Sequence, residues 1–318
     1  MRTLPLALAT IALGTVGLLG CGTPVSVAAP TVPMTLAPAG FWDHWGDGRA
    51  ELAGYTLTQS RYGQDRAGEA VLVTVTEEFT AKQRVKSDGG HGDEYPVIKL
   101  NEVRDFQTGI YDYNLMTSSW LRLDGAIPLG LPDKVAFSMQ EWCGHVYEEL
   151  VVKPDALGQM FRSYFDGETL DAADRALPAR AVVADAMPML VRGLGGQMLA
   201  PGETREVPWL PSAPDRRLTH REFSWGEATL TRSESTAQVT VPAGSFEVFT
   251  VSATVGTTIT TWSVEHAFPH RLVKWERSDG ELAELTGVTR RAYWNDSGEG
   301  REALRADLGL PSRAWPTK

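Results

Sequence analysis

Short segments in which apolar and polar side chains alternate recur along nearly the whole chain, with turn residues between them. Over 70–79, Val71, Val73 and Val75 fall on one face and Leu72, Thr74 and Thr76 on the other, a period of two that suits a pleated strand. Extended runs are also read at 51–59, 96–106, 110–121, 134–142 and 145–152, then at 217–224, 228–233, 247–255, 257–264, 271–277 and 281–293. Turns as short as Thr108-Gly109 or Ser278-Asp279-Gly280 force antiparallel neighbours, because a parallel crossover needs a dozen or more residues. The expected fold is therefore mainly β: an antiparallel curved sheet, or a partly open β-barrel or sandwich, with a short helical segment in the middle and a C-terminal helix. A chain of 318 residues, 42% of them hydrophobic, has enough apolar material for a sizeable core.

The middle of the chain breaks the alternation. From Asp174 the composition turns to Ala, Leu, Arg and Asp, and Val183, Met187, Leu190, Val191 and Leu194 form one helical stripe. Pro188 interrupts it, as a kink or as the junction of two short helices, and Gly193, Gly195 and Gly196 end it. Near the C-terminus, Ser297 is placed to cap a helix through Leu308, stopped by Gly309 and Pro311. Many strands carry Thr or Ser opposite aliphatic or aromatic residues, so the concave side is either wet or covered by the middle helix.

Residues 1–20 have the three parts of an export signal: Arg2, an apolar run, and small residues before a cleavage point. Leu18-Leu19-Gly20-Cys21 resembles the lipobox of bacterial lipoproteins, in which the thiol is joined to diacylglycerol before cleavage, so Cys21 is the expected lipidation site. An ordinary signal peptide with a chance cysteine is the alternative. Acyl chains, palmitate among them, contribute about 0.8 kcal/mol per buried methylene, so two or three hold a domain at a membrane without a spanning helix. Gly22 stands where an aspartate would signal inner-membrane retention, which points to the outer membrane facing the periplasm. Residues 22–40 are uncharged and contain Pro24, Pro30, Pro33 and Pro38, the composition of an extended spacer. The reading is a leader at 1–20, a tether at 21–40, a β-rich domain at 41–296 with any subdivision near 170–203, and a C-terminal helix and tail at 297–318.

Forty acids against 30 bases give a net charge of −10, and losing Arg2 with the leader makes it −11, which disfavours nucleic acid as a partner. No GxGxxG after a strand, P-loop, GxSxG elbow or HExxH is present, so no nucleotide cofactor or metal is expected. Cys143 and His145, with Glu141 beside them, are candidate catalytic residues, the histidine serving as base to the thiol. In an extended segment their alpha carbons lie about 7 Å apart, which favours the competing reading of a small buried cysteine beside a hydrogen-bonded histidine. Glu141, Glu148 and Asp112 are candidate acids for a glycosidase, which needs two carboxylates about 5 to 9 Å apart. Asp43, His44 and Asp47, flanked by Trp42 and Trp45, are a candidate binding cluster for a metal or a stacked sugar; a capped turn tucked under the domain is the alternative. His266 and His270 are four apart, but Pro269 argues against helical zinc geometry.

The segments Trp45-Gly46-Asp47-Gly48-Arg49-Ala50-Glu51-Leu52, Asp105-Phe106-Gln107-Thr108-Gly109-Ile110-Tyr111-Asp112-Tyr113, Gln140-Glu141-Trp142-Cys143-Gly144-His145 and Ser163-Tyr164-Phe165-Asp166-Gly167-Glu168 resemble a group of uncharacterised bacterial lipoproteins. That group is sometimes labelled septum formation inhibitor Maf, a name belonging to cytoplasmic nucleotide pyrophosphatases with a Ser-rich, Arg-Arg phosphate motif that this chain lacks. The second half, with Val241-Pro242-Ala243-Gly244-Ser245-Phe246 and Pro269-His270-Arg271-Leu272-Val273-Lys274-Trp275, resembles exported β-proteins of unknown function. The resemblance implies export and a β fold, and no reaction. The functional expectation is a lipid-anchored protein of the bacterial cell envelope that binds an apolar or amphiphilic ligand, such as a lipid, or an envelope protein. The alternative is an envelope hydrolase acting on a glycan.

Overall fold

The computed structural model describes residues 40–313. The leader, Cys21 and the tether lie outside the described residues, as do the last residues of the tail. Eight strands neighbour one another in chain order: β1 (Ala50–Arg61), β2 (Gln64–Thr80), β3 (Glu94–Thr108), β4 (Tyr111–Arg122), β5 (Lys134–Glu141), β6 (Gly144–Val152), β7 (Ala156–Ser163) and β8 (Leu170–Ala176). The second half adds β9 (Val182–Val183), β10 (Thr204–Leu210), β11 (Gly226–Arg232), β12 (Ala237–Val241), β13 (Gly244–Val255), β14 (Thr258–Glu265), β15 (Leu272–Arg277) and β16 (Leu282–Arg291). The two halves join where β1 pairs antiparallel with β16, from Ala50 opposite Arg291 to Thr58 opposite Leu282. Among the described residues every pairing but one is antiparallel; β9 runs parallel to β10.

All of this is one curved sheet with β8 and β9 at its unpaired ends. Its curl shows in the packing, because Val135, Leu150 and Leu157 of β5–β7 touch Val183 of β9 and Leu210 of β10, near the opposite end of the strand order. A larger cluster links Tyr55, Leu72 and Leu100 to Val251, Trp262 and Trp275 across the hollow. The chain between β9 and β10 plugs that hollow, with Ala186, Met187, Met189 and Leu190 buried on all sides. Each of the two methionines and the leucine contributes about 1.5–3 kcal/mol by leaving water. The described residues form three short α-helices, α1 (Phe41–Trp45), α2 (Met187–Leu190) and α3 (Ala213–Leu218), besides turns of 3-10 helix. No helix among the described residues is long and apolar enough to cross a membrane. On the outer face, Gly54 and Gly287 stand opposite each other, and a Cβ on Gly54 would come within 2.3 Å of the Leu308 carbonyl. These glycines admit the C-terminal turn that packs there.

The structure departs from the sequence expectations in instructive places. The stripe of Val183, Met187, Leu190, Val191 and Leu194 belongs to no long helix: Val183 ends β9, a 3-10 turn covers Ala184–Ala186, and α2 has 4 residues. The stripe records burial inside the curl. Pro188 is the second residue of α2, in the first turn where its missing N–H costs nothing, and does not interrupt the helix. Part of the strand expected at 217–224 is α3, whose Ser212 cap accepts the Asp215 N–H. The C-terminal helix is of the 3-10 type, Arg301–Leu308, with Gly300 in place of Ser297 at its N-cap.

Candidate functional site

The plug and the second half of the sheet enclose a cavity of about 380 Å³. Its walls are mostly apolar: Leu190, Val191, Met198 and Leu199 from the plug, and Phe249 and Val251 from β13. These residues face it because β13 alternates, presenting Phe249, Val251 and Ala253 inward. Two cations reach the cavity, and they differ in kind. Arg192 is structural, its guanidinium 2.8 Å from Glu51 with both side chains 3% exposed, and its Nε donates to the His270 carbonyl at 2.8 Å. Arg232, the last residue of β11, has no such partner among the described residues. It donates to the Leu199 carbonyl at 3.0 Å and lies 4.1 Å over the Phe249 ring, while its buried Nε bonds to nothing among the described residues. Burial pulls its pKa down. A guanidinium left without an acid in an apolar hollow is set to receive an anion.

Arg192 also places the cavity in the fold. It sits 5.5 Å from the Trp45 ring of α1, and Glu51 is the second residue of β1. The cavity therefore lies beside the point where the described chain begins.

A second cleft, of about 360 Å³, lies between α3 and β5–β8. Its charges are largely paired: Arg216 binds Glu148 at 2.5 Å, Gln159 donates to Glu148 at 2.6 Å, and Arg217 donates to both Glu168 oxygens at 3.1 Å. This is an ion-paired, polar wall.

The sequence candidates fall at two ends of the sheet. Trp45 is fully buried in α1, and its carbonyl accepts the Thr76 hydroxyl at 2.5 Å. Arg290 binds the His44 carbonyl and lies 2.8 Å from Asp47, while His44 stacks edgewise on Trp45 and Phe268. Burial first, and Arg290 second, push the His44 pKa down. Asp43 is exposed and Trp42 packs against the core. The arrangement joins His44 and Asp47 through an arginine, and no metal-holding group of His, Cys, Asp and Glu exists among the described residues.

Glu141, Cys143 and His145 sit at the opposite end, on the β5–β6 hairpin, where Glu141 pairs with Gly144 and Gln140 with His145. Cys143 is exposed at the turn, which corrects the expectation of a buried cysteine. Its N–H donates to Glu141 at 2.8 Å, and the Glu141 carboxylate pushes the thiol pKa up, so the thiolate is disfavoured. Of the acids weighed for glycan cleavage, Glu148 points into the concave side and is tied to Arg216, whereas Asp112 is exposed on the other face of the sheet. They do not flank a common space.

No family model and no curated protein matches the chain. Among solved structures, it is similar to a β-barrel-like protein of domain of unknown function DUF1849 from Brucella abortus, with 9% identity and a TM-score of 0.44 over 76% of this chain and 98% of that one. A DUF1089 family protein from Pseudomonas aeruginosa is similar with 11% identity and a TM-score of 0.32, over 60% of this chain and 84% of that one.

Arg232 and the plug residues Met198 and Leu199 escaped sequence reasoning. Arg232 ends a correctly expected strand, but nothing in a linear sequence says that no carboxylate among the described residues pairs with its guanidinium. His270, which does not form a zinc pair with His266, lines this cavity.

Proposed function

We propose that this chain is a lipid-anchored cell-envelope protein that holds an acidic amphiphile, a fatty acid or similar single-tailed lipid, in the cavity between plug and β13. The tail lies among Leu190, Val191, Met198, Leu199 and Val251, and the acid meets Arg232. The observation that carries this reading is the Arg232 guanidinium, buried in part, paired with no acid among the described residues and lining a hollow with leucine, valine, methionine and phenylalanine walls. A volume of about 380 Å³ with a few polar groups is ordinary for a small-molecule site. The cavity's position beside α1 keeps it near the end from which the tether would reach the membrane.

The test uses the full chain with Cys21→Ser, purified without detergent, and two fluorescent probes: 11-(dansylamino)undecanoic acid and its methyl ester. The acid is expected to bind at least tenfold more tightly, and Arg232→Met to erase that preference while leaving the fold intact. Equal binding of acid and ester by the parent chain would refute the role of Arg232. The anchor is tested separately, by fractionation: Cys21→Ser is expected to move the protein from membranes to the soluble fraction, and unchanged partitioning would refute the anchor.

A further inference from the structure

On the side of α3 away from the ion-paired cleft lies a smaller cavity of about 60 Å³, walled by Trp262 and Trp275 and by the start of the plug at Ala184 and Asp185. Its polar lining is unbalanced. Four carboxylates, Glu102, Asp185, Asp215 and Glu281, face two guanidiniums, Arg104 and Arg277. Arg104 is shared between Glu102 at 2.5 Å and Glu281 at 2.9 Å, and Arg277 between Asp215 and Asp279, at 2.6 Å from the latter. Trp275 is also committed, its indole N–H donating to Glu281 at 2.8 Å and its ring facing Arg104 at 5.7 Å. Asp185 is left over. It is 4% exposed; Oδ1 accepts the Ala213 N–H at 2.9 Å, and Oδ2 has no partner among the described residues.

We propose that this cavity is a binding site for a small organic ammonium group, which donates to Asp185 Oδ2 and lies against the Trp262 indole. An unpaired buried carboxylate is costly, and a cation that also donates hydrogen bonds relieves both the charge and the missing bond. An indole face adds attraction for a desolvated cation. At roughly 30 Å³ per water-sized group, the space admits about two such groups, the size of a methylammonium. The side chains do not form a metal-holding set among the described residues. Without a ligand, burial pushes the Asp185 pKa up to about 7 against the opposing pull of Arg216, with Glu148 and Asp215 adding to the rise. A bound cation would bring it down. This site is separate from the amphiphile cavity and does not depend on it.

The experiment titrates the full-length Cys21→Ser chain with methylammonium chloride, against sodium chloride at the same ionic strength, and reads tryptophan emission. A saturable change specific to methylammonium is expected, with affinity about tenfold weaker at pH 6 than well above pH 7, where Asp185 has lost its proton. Asp185→Asn keeps a carbonyl for the Ala213 N–H and is expected to weaken binding at least tenfold. If that variant fails to fold by circular dichroism, Trp262→Leu supplies the second comparison, with a loss of several-fold. A response in the parent chain that is linear and identical for both salts means that water alone fills the cavity and overturns the proposal. So does saturable binding that neither substitution weakens.

Discussion

Two hollows in the same curled sheet are charged in opposite ways. The cavity against β13 holds one guanidinium, that of Arg232, bonded to no acid among the described residues, whereas the small cavity beside α3 has more carboxylates than guanidiniums. The difference follows from what fills the hollow. The plug presents methionine, leucine and valine toward β13, but its first turn presents Asp185 toward α3, whose backbone binds it. A curled sheet whose hollow is filled by a plug thus acquires two chemically distinct interiors from one short segment. The lesson is that the imbalance of charge in each hollow, more than its volume, indicates what it takes.

The contrast can be broken first at Arg192, which holds the plug to β1. Arg192→Met leaves Glu51 buried without its cation and is expected to cost about 3–5 kcal/mol in urea unfolding. A loss below about 1 kcal/mol would mean that this pair does not hold the wall of the apolar cavity.

The acid-rich side is sharpened by pH. Asp185 has a pKa raised from 3.8 to about 7, so between these values the folded chain keeps a proton that the unfolded chain has released. Its stabilising effect is complete below about pH 4 and is lost as pH rises through about 7, by up to ~4 kcal/mol. Unfolding free energies at pH 5 and pH 8 are expected to differ less in Asp185→Asn than in the parent chain, since Arg216, Glu148 and Asp215 remain unchanged. His44 acts in the reverse sense. Its lowered pKa removes stability as pH falls below 6.5, a smaller effect read as a gentler acid slope in His44→Gln. Smallest of all are Cys143→Ser and His145→Ala, on the exposed hairpin, each expected within about 0.5 kcal/mol of the parent chain.

Strand periodicity made most of the sheet legible. Where side chains alternate strongly the expected strands are found: β14 agrees to within one residue at each end, and β2 ends one residue beyond the expected bound but begins six residues earlier, at Gln64. The alternation fails in β8, an edge strand of sequence Leu-Asp-Ala-Ala-Asp-Arg-Ala that is held by β7 and not by propensity. It also fails in the plug, where burial on every side erases the polar face that periodicity needs. The site was less legible for a related reason. Arg232 and Asp185 matter because of which groups are missing near them, and that depends on the curl that brings β9 and β10 against β5–β7. Candidates chosen for residue type, such as Glu141, Cys143 and His145, proved to share a turn whose geometry disfavours the thiolate.

The most direct test loads both hollows in one preparation. Dansyl-undecanoate and methylammonium are titrated into the full-length Cys21→Ser chain and into its Arg232→Met and Asp185→Asn derivatives. The account predicts that Arg232→Met weakens only the acid and Asp185→Asn only the ammonium, each about tenfold. Parallel losses for both probes in either derivative, or no loss in both, would contradict the claim that one sheet encloses two sites of opposite charge.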